Sequence, residues 1–514
     1  MPIGNSGARK RIAIIGAGAK AAAIACKAAA LARLPEYEPR VPDIWILERY
    51  EEAWNWGADQ AAPGPGRELR YTDGSSRLVT SPLKDVGFPY RSEQFGERVV
   101  EIMRQFSWPA YMLSFDAPSG GYARWIDQGC EQPTLSVWRR YLQWALKTAK
   151  GFGGAGATGS ASMRPRIELV PDATVRRLNV EGGKISLDGA GLHTVVDDGE
   201  TPLQFDGVVE TGPGPARTLA SDGDRNPAYI APDASDWVFD ARDYWNRMAL
   251  FYGLPIVPGK PKALRVAVIG RGEAAAAVIQ SILTRSRLDS MKCDVRVCIV
   301  NPSGVLYTRG TSVFETQYFN DPSPSPVRGP VGGAAGWADL PESDRLEILS
   351  RADRGVFNAA VMTEITRDDR VEQIAGRVSD IRRHGSRLRV TITSKRPGVP
   401  PRFEHFDRVV SALGFDHYRV LELHGIRPTE LAADAPEQKR LEAWGKRERE
   451  IDDQLRLDLE TSRGANIHVP MIAGLKNGPG FPTLQCLGLL SDRILSAYVT
   501  KVSVADVPGP SESC

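Results

Sequence analysis

The sequence has few of the residue clusters that metal or dithiol chemistry requires. Its six cysteines form no CxxC pair and its six histidines show no HxxxH spacing. Structural zinc and redox-dithiol sites depend on such spacings, so we expect no metal site and reduced cysteines. No run approaches the roughly 20 apolar residues that span a bilayer, and the first residues do not resemble a signal peptide. We therefore expect no membrane partner and a cytoplasmic location.

The chain also lacks an excess of charge of one sign. Lys+Arg number 65 and Asp+Glu 63, which gives a formal net charge of +2. Such a balance does not favour phosphate backbones, so we expect no nucleic acid partner. With 514 residues, 42% of them hydrophobic and 25% charged, the chain has the composition of a globular protein and the length of two or three domains.

Glycine is present in two informative patterns. Gly16, Gly18 and Ala21 follow the apolar run RIAII and precede a helix-like stretch. Gly270, Gly272 and Ala275 repeat this GxGxxA pattern after LRVAVI. In such a turn the first glycine permits a tight bend, the second lets the backbone approach a pyrophosphate, and the small third residue allows close helix packing. Helix N-termini bind phosphates without a charged side chain. Each pattern predicts a dinucleotide site.

The strand after each pattern differs in its last residue. DIWILERY places Glu48 where an acid accepts hydrogen bonds from a ribose diol, although it follows Gly16 by 32 residues and not by the usual 20 or so. The second strand ends in Val300 and Asn301, which would not repel the 2′-phosphate of NADPH. The candidate partners of that phosphate are Arg271, Arg285, Arg287 and Arg309.

The two patterns lie 254 residues apart, which matches an NADPH-binding domain inserted into an FAD-binding domain. We predict an α/β fold with two doubly wound, Rossmann-like dinucleotide-binding domains. The predicted segments are 1–225 for the first part of the FAD domain, 226–260 for a connection, 261–400 for the NADPH domain, and 401–514 for the second part of the FAD domain with a substrate-side C-terminal helix.

Short blocks in a fixed order resemble the N-hydroxylating branch of the class B flavin monooxygenases, the ornithine and lysine N-hydroxylases. The blocks are GAGAKAA, LERYEEAWNWG, LVTSPLKDV, YLQWAL, SVFETQYF and LGLLSDRILS. The resemblance spans most of the chain. It implies FAD and NADPH as cofactors, a reduced flavin that captures molecular oxygen as a C4a-hydroperoxide, and transfer of one oxygen atom to the nitrogen of a primary amine. A dry pocket protects such chemistry. A homo-oligomer is also expected from the family.

The resemblance assigns roles to four residues of these blocks. Lys84 corresponds to a lysine that meets the carboxylate of the amino-acid substrate, or else covers apolar surface with its stem. Trp54 and Trp56 match an aromatic pair beside the flavin, with core packing as the alternative. Ser491 matches a serine on the substrate or flavin side, with a helix N-cap as the alternative.

The sequence departs from the family's blocks at three positions. Val79 stands where a glutamine is expected near the flavin, and Thr316 and Gln317 stand where the family has Asn-Glu beside the substrate. Thr316 remains a candidate substrate-binding residue. The departures leave the amine open: lysine, ornithine and other primary amines all fit the pattern. The aromatic stretch 105–132 lines a larger pocket, packs in the core, or forms a subunit contact.

Other flavoprotein classes are less consistent with the sequence. Baeyer-Villiger or sulfur-oxidising monooxygenases normally carry FxGxxxHxxxW before the second pattern, and this histidine is missing. A flavin-dependent disulfide reductase needs paired cysteines beside the flavin, and the candidates Cys293 and Cys298 lie at the strand DVRVCIV. A non-catalytic NADPH-binding flavoprotein is the third alternative.

We assign no function to the Gly-rich segment 151–166, and the Pro/Gly-rich segment 320–340 is either a lid or a long loop.

Overall fold

A computed structural model of the chain describes residues 9–50, 92–130, 132–153, 165–197, 201–219, 228–252, 262–287, 293–308, 318–319, 321–323, 336–352, 356–357, 359–394, 396–432, 435–458 and 464–500. Most of segment 151–166 and much of segment 320–340 lie outside these ranges. None of the described helices is long and apolar enough to cross a membrane.

The described residues form twenty strands. They are β1 Arg11–Ile15, β2 Asp43–Leu47, β3 Ile167–Val170, β4 Thr174–Glu181, β5 Lys184–Ala190, β6 Val196–Asp197, β7 Thr201–Pro202, β8 Gly207–Glu210, β9 Tyr229–Ile230, β10 Val238–Asp240, β11 Lys262–Ile269, β12 Cys293–Asn301, β13 Tyr307–Thr308, β14 Val356–Phe357, β15 Val371–Ala375, β16 Arg377–His384, β17 Arg387–Thr393, β18 Arg402–Phe406, β19 Arg408–Ser411 and β20 Asn466–His468.

Fourteen α-helices accompany these strands in the described ranges. They are α1 Ala19–Leu31, α2 Glu97–Met103, α3 Trp108–Met112, α4 Gly121–Asp127, α5 Leu135–Gly153, α6 Ala241–Asn246, α7 Met248–Tyr252, α8 Glu273–Arg287, α9 Glu342–Ala352, α10 Ala359–Arg367, α11 His417–Leu423, α12 Glu437–Glu450, α13 Gly474–Asn477 and α14 Leu487–Ser496. Short 3-10 helices cover 38–40, 104–106, 232–237, 337–339 and 470–472.

The first sheet has the strand order β20-β8-β1-β2-β3, and its neighbouring strands are parallel. Its central strand β1 is apolar on both faces, as expected for a strand covered by helices. Helix α1 packs against α5 and α14. All thirteen residues of α1 are buried, because its many alanines let neighbouring elements approach closely. The N-terminal glycine pattern therefore sits at the centre of a packed layer.

The second sheet has the order β10-β19-β11-β12-β15 and is again parallel. Helix α8 packs on β11 and β12. A separate sheet of order β18-β17-β16-β9 stands beside it, mostly antiparallel. The two parallel sheets, each with a strand, a glycine turn and a helix, confirm the predicted α/β fold with two dinucleotide-binding units.

Two chain segments connect the sheets and run side by side. Ala216 forms an antiparallel bridge with Phe415, the Arg217 N–H donates to the Gly414 carbonyl at 2.9 Å, and the Asp416 N–H donates to the Pro215 carbonyl at 2.9 Å. We call residues 211–219 and 412–418 the paired linkers. Because β19 belongs to the second sheet, we propose that the inserted domain extends to the second linker, past the sequence-based limit at 400.

The aromatic stretch 105–132 belongs mainly to the core. Trp108, Tyr111 and Trp125 are buried, and Trp108 lies against Trp138 and Tyr141 of α5 with ring centroids 6.2 and 5.4 Å apart. Burial of large rings on α5 stabilises the first domain. Of the three sequence-based interpretations, core packing therefore holds for these rings, whereas Phe115 is exposed.

Candidate functional site

The first glycine turn, residues 16–21, joins β1 to α1. Gly16 has φ +98°, and a Cβ there would lie 2.8 Å from Thr211 Oγ1, so both the conformation and the space favour glycine. Helix α1 begins after Gly18 with no side-chain cap and no acid in its first turn. The N-terminal amides of α1 are therefore suited to an anionic ligand such as a pyrophosphate.

Glu48 lies beside this turn, one residue after the end of β2. It is buried, its Oε2 accepts the Ala17 N–H at 2.8 Å, and its Oε1 accepts the Tyr50 N–H at 3.3 Å. These bonds fix the carboxylate at the carboxyl edge of the sheet, where an acid of a dinucleotide-binding domain binds a ribose diol. The long spacing from Gly16 is absorbed by the turn and the 3-10 helix at 38–40.

The second glycine turn, residues 270–275, joins β11 to α8. Gly270 has φ +135°, and a Cβ there would meet the Ala412 carbonyl oxygen at 2.2 Å. The Gly270 N–H donates to the Val300 carbonyl at 3.0 Å, and Ala275 is fully buried. Here the obstacle to a side chain is backbone, which cannot rotate away. The turn fits a second dinucleotide at the start of α8.

The ribose edge of the second site is neutral. Asn301, fully buried at the end of β12, accepts from the Ser303 and Gly304 N–H groups at 3.2 and 2.8 Å and so folds the following turn. Arg271 Nη1 lies 3.4 Å from Ser303 Oγ, and its guanidinium carbon lies 5.4 Å from the Tyr307 ring centroid. A neutral edge with a nearby guanidinium suits a 2′-phosphate.

The other candidate arginines are distributed differently. Arg285 and Arg287 lie at the C-terminal end of α8, about 20 Å along the chain from Arg271 at 1.5 Å rise per residue, and Arg309 lies outside the described residues. Among the described candidates, Arg271 is the one at the carboxyl edge of the sheet. Ser303 was not predicted as a site residue, although a serine two positions after the strand end is the available signal.

Most of the predicted substrate-side residues lie outside the described ranges. These are Trp54, Trp56, Lys84 and Thr316, together with the divergent positions 79 and 317. Ser491 is described: it lies in the middle of α14, is fully buried, and its Oγ donates to the Gly488 carbonyl at 2.8 Å. The N-cap alternative for Ser491 is therefore wrong, and its substrate or flavin role stays a prediction.

A buried ion pair that the sequence analysis did not anticipate joins α1 to α14. Lys27 Nζ lies 2.5 Å from Asp492 Oδ1 and donates to the Gly488 carbonyl at 2.8 Å. Asp492 Oδ2 accepts the N–H groups of Glu93 and Gln94 at 2.6 and 3.1 Å. Burial lowers the pKa of Lys27, and the carboxylate opposes that effect. The pair fixes residues 93–94, just after the segment that contains Lys84. The sequence signal was the presence of two lysines, Lys20 and Lys27, in an otherwise apolar helix.

The two cysteines considered as a dithiol, Cys293 and Cys298, do not form one. Cys293 and Cys298 stand five residues apart on β12, so their Cα atoms are separated by about 16 Å, beyond the reach of a disulfide. Burial raises the pKa of the Cys298 thiol to about 12, which makes it a poor nucleophile. The disulfide-reductase alternative is thus wrong for this pair. Within the described residues, no group of three or more His, Cys, Asp or Glu side chains could hold a metal ion.

Two parallel sheets, each with a glycine turn at its carboxyl edge, define a flavoprotein of the class that binds two dinucleotides. No family model matches the chain. The chain is 33% identical over 495 residues to L-lysine N6-monooxygenase MbtG of Mycobacterium sp. (strain MCS), an alignment that covers 95% of this chain and 94% of that protein. It therefore belongs to the family of flavin-dependent N-hydroxylating monooxygenases.

Solved structures agree with this membership. The lysine monooxygenase NbtG from Nocardia farcinica superposes with a TM-score of 0.62 and 28% identity, covering 94% of this chain and 99% of that one. The ornithine hydroxylase PvdA from Pseudomonas aeruginosa gives a TM-score of 0.58 at 15% identity, covering 96% and 99%, and so supports the fold alone. The membership confirms the expected FAD- and NADPH-dependent amine N-monooxygenase and does not support the alternative activities.

Proposed function

We propose that this chain hydroxylates the side-chain amino nitrogen of lysine, or of an amine that carries a lysine side chain. The observation that carries the proposal is the 33% identity to a lysine N6-monooxygenase across 95% of the chain. The structure supports the cofactor requirement of such a reaction, because the two glycine turns differ at the ribose edge in the way that FAD and NADPH differ.

We assign the first site to FAD and the second to NADPH. Bound FAD, reduced by NADPH, supplies the oxygen-activating chemistry. At the first site the amides of α1 hold the pyrophosphate and Glu48 accepts a ribose hydroxyl. At the second site the amides of α8 hold the pyrophosphate while Arg271 and Ser303 bind the 2′-phosphate. The packed helix α1 excludes water from one side of the first site, which suits chemistry that water would divert.

The substrate must offer a free lone pair on nitrogen, so the reacting amine has to be neutral. Desolvation in a closed pocket favours the neutral amine. We propose that Lys84 binds the α-carboxylate and so sets the orientation of the amino acid. The pair Lys27–Asp492 supports this proposal indirectly, because it anchors residues 93–94 close in sequence to Lys84.

The test measures NADPH oxidation, oxygen uptake and product mass with purified, FAD-loaded protein. The panel consists of lysine, ornithine and cadaverine, which is lysine without its carboxylate. We expect lysine to gain one oxygen atom with little release of peroxide. Formation of peroxide alone with every amine would contradict the proposal, and preferred turnover of ornithine would replace lysine as the substrate.

The role of Lys84 has a sharper test within the same panel. Lys84→Ala is expected to raise the KM for lysine by about tenfold or more, since a charge-assisted carboxylate contact is lost, and to leave the KM for cadaverine unchanged. Lys446→Ala removes an exposed lysine on α12 and is the matched control. An equal increase in the KM for lysine and for cadaverine would mean that Lys84 does not bind the carboxylate.

A further inference from the structure

A small cavity opens at the carboxyl edge of the second sheet, on the β19 and β10 side of the second glycine turn. Its lining includes Arg217 and Phe415 of the paired linkers, Ser411 of β19, Ala241 of α6 and Ala274 in the first turn of α8. In open parallel sheets ligands bind outside the carboxyl ends of the strands where the strand order reverses. Strands β11 and β19 meet at that point in this sheet.

Ser411 contributes an unused hydroxyl to this cavity. It is the last residue of β19, where it pairs with Asp240 on one side and Ile269 on the other. The residue is 3% exposed, and within the described part of the chain its buried Oγ has no hydrogen-bond partner. An unpaired buried hydroxyl is costly, and a ligand oxygen in the cavity would satisfy it.

Arg217 contributes a positive charge from the paired linkers. Its backbone N–H is bound to the Gly414 carbonyl at 2.9 Å, which fixes the residue at the cavity, while no side-chain hydrogen bond or ion pair to a described residue engages its guanidinium. The neighbouring carboxylate of Asp416 is already paired with Arg440 at 2.6 Å. The first turn of α8 carries Glu273, whose side chain is exposed. Arg217 acts on Asp416 through its charge, as one of the groups that lower the pKa of that carboxyl, and its guanidinium N–H groups can donate to an anion in the cavity.

The sheet order identifies which part of a bound dinucleotide would reach this cavity. The adenine-side ribose edge lies at β12, where Arg271 and Ser303 meet. From there the strands run β12, β11, β19, β10, so the other half of the dinucleotide points towards β19 and β10. The 15-residue helix α8 directs its N-terminus between the two halves.

We infer that Arg217 and Ser411 bind the nicotinamide-side phosphate of NADPH. The inference rests on the proposed assignment of NADPH to the second site and extends it to a residue outside the second domain. Because Arg217 belongs to the linker that leaves the first sheet, the bound phosphate joins that linker to β19 and α8. The cofactor thereby ties together the paired linkers that connect the two domains.

The test separates the two halves of the cofactor by equilibrium titration of the FAD-loaded full chain. The probes are NADP⁺ and 2′,5′-ADP, which carries the adenine-side phosphates and lacks the nicotinamide-side phosphate. We expect Arg217→Gln to weaken NADP⁺ about tenfold and Ser411→Ala about threefold, with 2′,5′-ADP unchanged for both. Arg271→Gln is expected to weaken both probes. Arg396→Gln removes an exposed charge on the β17–β18 connection and is the control.

Three outcomes are decisive. Unchanged NADP⁺ affinity in Arg217→Gln overturns the inference, and so does an equal loss for NADP⁺ and 2′,5′-ADP, because a general field effect would act on both. Wild-type protein that binds neither probe contradicts the NADPH assignment itself. Arg217→Lys retains the charge, and we expect it to recover most of the NADP⁺ affinity; thermal melting of each variant shows that it is folded.

Discussion

The two glycine turns share a pattern and differ in how their helices are supported. Every residue of α1 is buried, whereas α8 exposes Glu273 and Thr284 to solvent. At Gly16 the nearest obstacle to a side chain is the Thr211 hydroxyl, and at Gly270 it is the Ala412 carbonyl. Both turns follow the central strand of a five-stranded sheet, but the helix after the first turn is enclosed, whereas the helix after the second keeps part of its surface exposed.

This difference in helix burial separates the site that we propose for FAD from the site that we propose for NADPH. The first turn, which we propose for FAD, is part of the buried core of its domain. The second turn, which we propose for NADPH, begins a helix with exposed residues, and the contacts proposed for this cofactor are Arg271, Ser303 and the paired linkers. The four experiments below test that contrast, from the largest expected effect to the smallest.

The largest effect is expected at the ion pair that anchors α1. Lys27→Met leaves the Asp492 carboxylate buried without its cation, and breaking such a pair costs about 3–5 kcal/mol of the free energy of unfolding. The measurement is urea unfolding followed by FAD release, with exposed Lys446→Met as the control.

The double change Lys27→Met with Asp492→Leu refines this result. It removes both charges and also the acceptor of the Glu93 and Gln94 N–H groups, so we expect only partial recovery of stability. A loss below about 1 kcal/mol for Lys27→Met would mean that the pair does not anchor α1.

The next effect compares alanine at the two turns. Gly270→Ala drives a Cβ into backbone, and we expect NADP⁺ to bind about a hundredfold more weakly, with FAD content unchanged. Gly16→Ala has the same cost of a positive φ, but its Cβ meets a side-chain hydroxyl and not backbone, so we expect about a tenfold loss of FAD affinity. Adding Thr211→Ala to Gly16→Ala should recover part of that loss, with Thr211→Ala alone as the reference. Equal effects at both turns would contradict the distinction between side-chain and backbone obstacles.

Much of this arrangement was predictable from local sequence. Local patterns predict the two glycine turns, the acid at position 48 and the neutral end of β12, because each of these features depends on neighbouring residues. The ion pair joins positions 465 residues apart, and the placement of β19 in the second sheet depends on which strand it pairs with. An apolar strand ending in a small residue and glycine looks the same in either domain. Ser491 shows the same limit, because LLSD suggests a helix start where the helix is already in its second turn.

A smaller effect concerns the choice of nicotinamide cofactor. Arg271→Gln removes the guanidinium beside Ser303. We expect the preference for NADPH over NADH to fall about tenfold, because only NADPH has a 2′-phosphate that the guanidinium can bind. Arg285→Gln, at the far end of α8, should keep the wild-type preference. The measurement is the ratio of kcat/KM for the two reductants; an unchanged ratio in Arg271→Gln would place the 2′-phosphate elsewhere.

The smallest effect is a pH dependence confined to the first sheet. His468 on β20 is fully buried, with its ring nitrogens 2.8 Å from the Gln454 carbonyl and 2.8 Å from the Tyr498 hydroxyl. Burial lowers the pKa of His468 to about 4 from its ordinary 6.5. The unfolded chain takes up the proton first, so this stability is full above pH 6.5 and is lost as the pH falls towards 4.

Between pH 7.5 and 5.5 the loss of unfolding free energy should be about 1 kcal/mol. Urea unfolding of wild-type protein and His468→Gln at both pH values isolates this contribution, since the other titrating groups are common to both. A variant that loses as much stability as the wild type over this interval would exclude His468 as the source.

The pairing of β8 with β20 also fixes an order of events during synthesis. Gly207 lies opposite Asn466, so the first sheet cannot be completed until the whole insertion has left the ribosome. The second sheet needs only strands between residues 238 and 411. The domain of the second sheet can therefore finish folding before the domain of the first sheet. Until β20 is synthesised, β8 is an edge strand of an incomplete first sheet.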